Sequence, residues 1–463
     1  ALPAAQVSAQ DRMSRASRGR KSFWSYCLCV LLRRCFWPVC IGALLALVSF
    51  SLLANPWALT HTDGHSQPAP LRGGRPPLPG LSNSTAVPPL APVGRATPIK
   101  LLISSFQDGE RCADTLYRAL AKAKHSKRIS FSVLQAVGPK DAVCLEIFRK
   151  KRAPQLCGPP FEAEFGHCVE ELLGRIRFKT IELKEGKGPV HQRGLLSDFA
   201  DLSGESAMCL AIDAHMDFAK GWDKDLLEDW ARTGNEFAVL TAYPAQFASG
   251  SWPELCGYFI TKEGLPRGAT ARPRAAGKTA GKPQLTMNWA AGQSFARCHA
   301  EKNVPADKNL IWMFDGEEVN RAVRFWTHGY DLYNPKVTVV LHNYSGAHQA
   351  FWSHGPPELG QKRRESENRL KTLLGGEAPK SAYGRYGLGA QRSLEQYVTW
   401  AHTNLGGKWG KYLTSKGITP HFNDFVHREG VQQPASVANF CSKLQRPPVR
   451  DVKALVNSAG VSL

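Results

Sequence analysis

Apolar and polar positions alternate along the chain in a way that predicts strands and helices in turn. Short apolar runs are typical of buried strands, whereas apolar residues spaced three and four apart are typical of helices with one buried face. The predicted strands are Lys100–Phe106, Ser130–Val137, Ala207–Ile212, Phe237–Thr241 and Val337–Leu341. The predicted helices have apolar faces within Leu116–Ala123, Leu195–Leu202, Trp222–Trp230 and Val319–Trp326. This alternation predicts an α/β domain with a mixed, largely parallel central sheet.

The N-terminal region departs from this pattern, because it contains a long apolar run without a charge. The run Cys35–Ala54 has about the 20 residues that a helix needs to cross a bilayer. Arginines precede it, so the positive-inside rule places residues 1–34 in the cytosol as a basic tail. The sequence therefore predicts a single transmembrane signal anchor of type II topology, preceding the α/β domain. A cleaved signal peptide is the alternative.

Composition divides the rest of the chain into a stem, an α/β domain and a C-terminal extension. Residues 55–99 are rich in Pro and Gly and poor in large apolar residues, which predicts an extended stem. The alternation of strands and helices occupies 100–350, and 351–463 is interpreted as a C-terminal extension of that domain. Eight cysteines follow the apolar run, an even number that allows disulfides but leaves their pairing open.

The formal net charge of +20 is concentrated in two places. One is the basic tail, and the other is Arg267–Lys282, a Gly/Ala-rich segment that we expect to be a flexible insertion. No array of aromatic residues is spaced among these charges, as a protein that binds single-stranded nucleic acid would need. The charge distribution therefore argues against a nucleic-acid partner.

Asp213 and His215 form the most informative motif, because they directly follow a predicted buried strand. Residues two apart on an extended chain point to the same side, so both side chains are able to hold one divalent cation. A carboxylate with an imidazole suits Mn²⁺ or a similar ion better than Ca²⁺. In nucleotide-sugar transferases such a site clamps a diphosphate. The alternative is a loop-capping aspartate beside a surface histidine.

Two further segments carry candidate chemistry. Asp315, Glu317 and Glu318 precede a helical pattern, where acidic residues are also favoured by the helix dipole. Glu317 and Arg321 are four residues apart, so an ordinary ion pair within the helix is an alternative account of these acids. His342 ends the last predicted strand, where a buried structural histidine is the alternative to a ligand.

The order of several motifs resembles the polypeptide α-N-acetylglucosaminyltransferases. This family includes the hydroxyproline GlcNAc-transferase of an SCF ubiquitin-ligase adaptor and the Golgi mucin-type α-GlcNAc-transferases of protists. The motifs are Leu102–Phe106, Asp141–Cys144, Ile212–Met216, Trp222-Asp223, Ala238–Pro244, Pro253–Cys256, Phe314–Glu318, Trp326–Asp331 and His342. The aspartate–histidine motif, the later acidic helix and the last histidine are also similar to mucin-type GalNAc-transferases.

The resemblance implies a GT-A fold, a UDP-GlcNAc donor, a divalent cation such as Mn²⁺ and retention of anomeric configuration. It implies that Asp213, His215 and His342 are the metal ligands and that the cation bridges the donor phosphates. Arg193 is expected to face the phosphates or uridine, since its fork suits bidentate contacts; an exposed helix arginine is the alternative. The catalytic candidates Asp315, Glu317 and Glu318 are expected to position the acceptor or sugar hydroxyls.

The expected partners are a UDP-sugar and a secretory polypeptide rich in Pro, Ser and Thr, with the transferase domain in the Golgi lumen. The acceptor group is then a Ser, Thr or hydroxyproline hydroxyl. Three alternatives stay open at this point. They are a UDP-GalNAc-dependent polypeptide transferase, a membrane-anchored metal-dependent hydrolase and an inactive lectin-like receptor.

Overall fold

The computed structural model describes residues 91–159, 164–247, 251–261, 263–275, 281–345, 351–376, 379–420 and 440–460. The predicted tail, the span Cys35–Ala54 and most of the predicted stem lie outside these residues. Within the described ranges, no helix has the length and apolar character that crossing a membrane requires.

Thirteen strands are present in the described residues. They are β1 Ile99–Phe106, β2 Ile129–Val137, β3 Ile176–Glu182, β4 Met208–Asp213, β5 Met216–Phe218, β6 Ala238–Thr241, β7 Ala245–Gln246, β8 Ser251–Ile260, β9 Pro266–Ala275, β10 Gln284–Thr286, β11 Gln293–Arg297, β12 Asp331–Asn334 and β13 Val340–His342.

Eight of these strands form one central sheet in the order β10-β12-β6-β11-β4-β1-β2-β3. Four neighbouring pairs are parallel, and β11 runs antiparallel to both β4 and β6. The prediction of an α/β fold with a mixed sheet is therefore confirmed. Two smaller sheets, β5-β13-β7 and β8-β9, lie outside this central one.

The helices have the following bounds: α1 Gly109–Lys122, α2 Cys144–Ile147, α3 Ala153–Leu156, α4 Phe165–Gly174, α5 Pro189–Phe199, α6 Trp222–Ala231, α7 Cys298–Asn303, α8 Glu317–Thr327, α9 Leu359–Gly375, α10 Leu394–Ala401, α11 Trp409–Ser415 and α12 Val452–Ala459.

Helices cover both faces of the sheet because side chains alternate along β1. Leu101 and Ile103 pack into a core that includes residues of α1 and α6. Leu102 belongs to a second core on the other side, together with Leu196 of α5. The carboxyl ends of β1 and β4 therefore emerge together between these helices, since the two strands are parallel neighbours.

The C-terminal helices share a further core with α8. Val323 and Trp326 of α8 pack in one buried cluster with residues such as Leu370 of α9 and Leu455 of α12. Four disulfides join all eight cysteines of the described residues: Cys112–Cys144, Cys157–Cys168, Cys209–Cys298 and Cys256–Cys441. The last of these fastens the C-terminal segment to β8. The boundary at residue 350 stays a prediction.

Two sequence-based expectations are wrong in detail. Of the segment Arg267–Lys282, expected to be a flexible insertion, residues 267–275 lie in a strand over Pro266–Ala275 that pairs antiparallel with β8, and residues 276–280 lie outside the described residues. Its Gly, Ala and Arg residues lack an apolar period, so the pairing depends on a partner strand that local sequence does not indicate. The strand predicted over Val337–Leu341 begins only at Val340 and lies in the small sheet instead of the central one.

Candidate active site

The carboxyl end of β4 and the end of β13 bring three candidate metal ligands together. Asp213 is the last residue of β4, and His215 lies between β4 and β5. Strand β13 pairs with β5 so that His342 stands opposite Met216. The backbone N–H of Asn343 also donates to the carbonyl of His215 at 3.1 Å. Strand pairing therefore places His342 beside the aspartate–histidine motif.

Asp213, His215 and His342 each offer a ligand atom, and these atoms lie within 4.8 Å of one another. Nε2 of His342 is 3.3 Å from Oδ2 of Asp213, and the two imidazole rings meet edge to face with centroids 4.6 Å apart. Nδ1 of His342 is buried and has no hydrogen-bond partner among the described residues. One carboxylate with two imidazoles is a donor set that fits a divalent transition ion such as Mn²⁺.

Arg193 connects this cluster to helix α8. Its Nη2 donates to Oδ1 of Asp213 at 2.6 Å, and its Nη1 donates to both carboxylate oxygens of Glu317 at 2.9 and 2.7 Å. Burial raises the pKa of Asp213, but the charges of Arg193 and His342 outweigh it, so the pKa lies well below its usual range. Both Asp213 and Arg193 are therefore charged at neutral pH.

Two of the alternatives considered from sequence are wrong. The side chain of Arg193 is only 16% exposed, so it is not a surface arginine. Glu317 pairs with Arg193 and not with Arg321, whose guanidinium instead binds Glu301 at 2.7 and 2.9 Å. The acids at the start of α8 thus contact residues distant in the sequence and not residues of their own helix.

Glu318 faces a different neighbour. Its Oε2 accepts a short hydrogen bond from the hydroxyl of Tyr243, which follows β6. Burial raises the pKa of Glu318, and the charge of Glu317 raises it further; the hydrogen bond from Tyr243 lowers it, and the pKa lies at about 7. Burial likewise raises the pKa of Tyr243 well above its usual value. Tyr243 was missed in the sequence, although it follows a predicted strand within a family motif.

Asp315 is not among the three clustered metal-ligand candidates of the described residues and contacts the β8–β9 hairpin. One of its carboxylate oxygens is 3.2 Å from Nη1 of Arg267 on β9. Next to Asp315, Phe314 is 47% exposed. On the same hairpin, a side chain at Gly268 would come within 3.2 Å of the Tyr243 hydroxyl and 3.3 Å of Oε2 of Glu318. The segment expected to be an insertion therefore forms one wall of the site.

The turn between β1 and α1 contributes residues that the sequence reasoning did not select. Oδ2 of Asp108 is 3.0 Å from Nδ1 of His215, and Nε of Arg111 donates to Oδ1 of Asp108 at 2.6 Å. Burial raises the pKa of Asp108, but His215 and Arg111 together hold it below its usual value. The available signal was an aspartate at the carboxyl end of the first strand, where ligands of such sheets bind.

Several buried polar atoms near this turn have no hydrogen-bond partner within the described part of the chain. They are Oγ of Ser105, Oε1 of Gln107 and both Nη atoms of Arg111. Buried polar atoms are normally paired with protein groups or water, so these atoms are candidate contacts for a polar ligand.

The model of the glycosyltransferase (GlcNAc) family matches residues 99–405. The chain belongs to this family. The matched region contains the metal-ligand candidates, Arg193, the acids of α8 and the β8–β9 hairpin. The prediction that the chain is a glycosyltransferase is confirmed at the level of the family, whereas the narrower polypeptide α-GlcNAc-transferase group stays a prediction. None of the curated proteins matches the chain.

Similar solved structures are glycosyltransferases at low sequence identity. GalNAc-T7 with UDP, GalNAc and Mn²⁺ is 15% identical with a TM-score of 0.42; the match covers 70% of this chain and 58% of that one. TarS 1–349 of S. aureus with UDP-GlcNAc is 11% identical with a TM-score of 0.37, covering 65% and 70%. Mannosyltransferase PcManGT of Pyrobaculum calidifontis, with GDP-Man and Mn²⁺, is 8% identical with a TM-score of 0.33, covering 72% and 83%.

Proposed function

We propose that the chain is a divalent-cation-dependent, retaining transferase with the GT-A fold. It moves GlcNAc from UDP-GlcNAc to a Ser, Thr or hydroxyproline hydroxyl of a polypeptide. The observation that carries the proposal is the cluster of Asp213, His215 and His342, joined through Arg193 to Glu317 at the start of α8. Such a cluster combines a cation site with an arginine fork and an acid, which a sugar-diphosphate donor requires.

The departing group in this reaction is UDP, whose phosphates gain negative charge as the bond to the sugar breaks. Asp213, His215 and His342 would hold a Mn²⁺ ion, which would supply positive charge to neutralise these phosphates. The guanidinium of Arg193 lies beside this site and orients its two carboxylates, since its Nη atoms donate to Asp213 and Glu317. Preorganised charges of this kind are worth most in a cleft that excludes water.

The remaining residues have positioning roles in this proposal. Arg193 fixes the carboxylate of Glu317, and Tyr243 fixes that of Glu318, so both acids are oriented before a substrate binds. Oriented carboxyl groups are suited to hold sugar or acceptor hydroxyls. Asp315 forms an ion pair with Arg267 of the hairpin. The unpaired polar atoms of Ser105, Gln107 and Arg111 are available to the donor nucleotide.

The acceptor and the location rest on the motifs and on the apolar run Cys35–Ala54. A signal anchor with type II topology would place the described domain in the Golgi lumen, where a secretory polypeptide rich in Pro, Ser and Thr is the acceptor. The four disulfides support this location, since such bonds persist in oxidising compartments. In sealed microsomes, protease added outside should leave the region after residue 100 intact. Digestion of that region would refute the orientation.

The decisive assay measures UDP release from a panel of UDP-sugars with Mn²⁺, with and without acceptor peptides that contain Thr, Ser or hydroxyproline. We expect release with UDP-GlcNAc that requires a peptide and is abolished by EDTA. Release of sugar without any peptide would favour a hydrolase, and preference for UDP-GalNAc would change the donor. No release with any donor would contradict the proposal.

Asp213→Asn should lower the transfer rate at least tenfold without unfolding the protein, because one anionic ligand is lost. A tenfold loss corresponds to about 1.4 kcal/mol of transition-state stabilisation. Asp217→Asn is the matched control, since Asp217 lies on the adjacent strand β5 and pairs with Lys122. Full activity of the Asp213 variant would exclude the metal assignment.

A further inference from the structure

We propose that Asp108 is a positioning residue for the metal site. Its carboxylate accepts a hydrogen bond from Nδ1 of His215 and thereby directs Nε2 of that ring toward Asp213 and His342. The inference deepens the proposed function and rests on it, because it takes these three residues to bind a divalent cation. Asp108 itself contributes no ligand atom to the cluster.

The contact between Asp108 and His215 fixes which nitrogen of the ring carries a hydrogen. An ionised carboxylate only accepts hydrogen bonds, so Nδ1 must donate across the 3.0 Å that separates it from Oδ2 of Asp108. Nε2 then carries the lone pair that binds a cation. Arg111 orients the carboxylate, since its Nε donates to the other oxygen at 2.6 Å. Histidine ligands of metals commonly have such a carboxylate partner.

Asp108 occupies a position where an aspartate side chain would ordinarily cap the helix. It is the N-cap residue of α1, and aspartate at an N-cap usually accepts a hydrogen bond from a backbone N–H of the first turn. Here the side chain makes no capping hydrogen bond and is turned toward His215 and Arg111 instead. The contact with His215 therefore replaces the usual structural role of the residue.

The turn that carries Asp108 is held tightly in place. Gln107 has a φ of 55°, a conformation uncommon for residues other than glycine, and its amide donates to Asp141 at 2.9 Å. On the other side, a Cβ at Gly109 would lie only 2.1 Å from the carbonyl oxygen of Ala142. A position fixed from both sides leaves the carboxylate of Asp108 little freedom to follow the imidazole, so the imidazole must follow the carboxylate.

The two histidines of the cluster differ in the surroundings of their Nδ1 atoms. Nδ1 of His342 has no hydrogen-bond partner among the described residues, whereas Nδ1 of His215 has Asp108. Loss of Asp108 would remove the carboxylate that Nδ1 of His215 contacts. Changes to such outer partners typically cost 10–100-fold in metal affinity.

The test is Mn²⁺ binding by the purified full chain without nucleotide, measured by electron paramagnetic resonance. Asp108→Asn keeps the size and the capping ability of the residue but removes its charge. We expect its affinity for Mn²⁺ to fall roughly 10–100-fold, with part of the affinity rescued in Asp108→Glu. The visible spectrum of bound Co²⁺ should also change, because the imidazole is no longer held in one orientation.

Asp114→Asn is the matched control, because Asp114 lies on the same helix, pairs with Arg152 and is 26% exposed. It should bind Mn²⁺ within twofold of wild type. If Asp108→Asn also stays within twofold while Asp213→Asn loses binding, the proposal is wrong but the metal site stands. If Asp108→Asn does not fold, Mn²⁺ binding is measured with Arg111→Met instead. This variant should bind Mn²⁺ several-fold more weakly than wild type. An unchanged affinity overturns the proposal. Failure of the wild type to bind Mn²⁺ would overturn both proposals.

Discussion

Glu318 shows how burial changes the chemistry of a single side chain in this site. Its neighbour Glu317 forms an ion pair with Arg193, whereas Glu318 has a tyrosine hydroxyl as its partner. With burial and the charge of Glu317 raising its pKa to about 7, Glu318 exchanges its proton near neutral pH. Two adjacent acids thus differ: Glu317 is fixed by an ion pair with Arg193, and Glu318 is able to hold a proton.

This difference predicts a pH-dependent effect of Glu318→Gln on stability. The folded pKa is raised, so the stability that protonation provides is complete below about pH 4.5 and is lost as the pH rises through 7. Relative to wild type, the variant should therefore become more stable between pH 5 and 8, by about 1–3 kcal/mol. Urea unfolding at several pH values measures this, with exposed Glu358→Gln as a control. A pH-independent difference would contradict the assignment.

The places of individual candidate ligands could be predicted from the sequence where the signal was local. Asp213 and His215 follow an apolar run at a spacing of two, and that spacing is enough to place both at a strand end. The partners of these residues could not be predicted from local sequence. Arg193 lies 20 residues before Asp213 and more than 100 before Glu317, and only the packing of α5 against both strand and helix shows that it bridges them. The contact between Asp108 and His215 likewise joins residues more than 100 positions apart in the sequence.

At the scale of elements, the β8–β9 hairpin is the part that sequence reasoning described least well. Strands with continuous apolar runs, such as β1 and β2, were predicted to within one residue of their observed bounds. Strand β9 instead carries Gly, Ala and Arg, and its pairing with β8 is interrupted by irregularities in register. Its position against Tyr243 and Glu318 follows from tertiary packing alone.

The hairpin predicts an effect for Gly268→Ala. The added Cβ would lie 3.2 Å from the Tyr243 hydroxyl and 3.3 Å from Oε2 of Glu318, so this pair must shift by a few tenths of an ångström. We expect roughly a tenfold loss of transfer rate, since a misplaced group near the reaction is costly, with a loss of stability of about 1–3 kcal/mol. Gly166→Ala on α4 is the control, because a Cβ added there would meet no atom of the described residues within 4 Å. Equal rates for both variants would refute a positional role for the hairpin.

At the scale of the whole molecule, the C-terminal segment is tied to the domain by the Cys256–Cys441 bond, which spans 185 residues. Cys157–Cys168 spans only 11. Since a disulfide stabilises partly by restricting the unfolded chain, the longer loop should contribute more.

Replacing Cys256 and Cys441 with Ala should therefore lower the free energy of unfolding by about 5 kcal/mol, and replacing Cys157 and Cys168 by about 3 kcal/mol. Urea denaturation of the two double variants measures the difference, with the short-loop variant as the matched control. An equal loss in both would show that loop length does not determine the contribution of these bonds.

The bond between Cys209 and Cys298 has a practical consequence for anyone who prepares this protein. It joins the strand that ends in Asp213 to the first residue of α7. Expression in a cytosol rich in glutathione would give the chain without this disulfide. Export to the periplasm or secretion is therefore the better route. Dithiothreitol should be left out of assay buffers, because it would open the bond and its thiolates would compete for the cation.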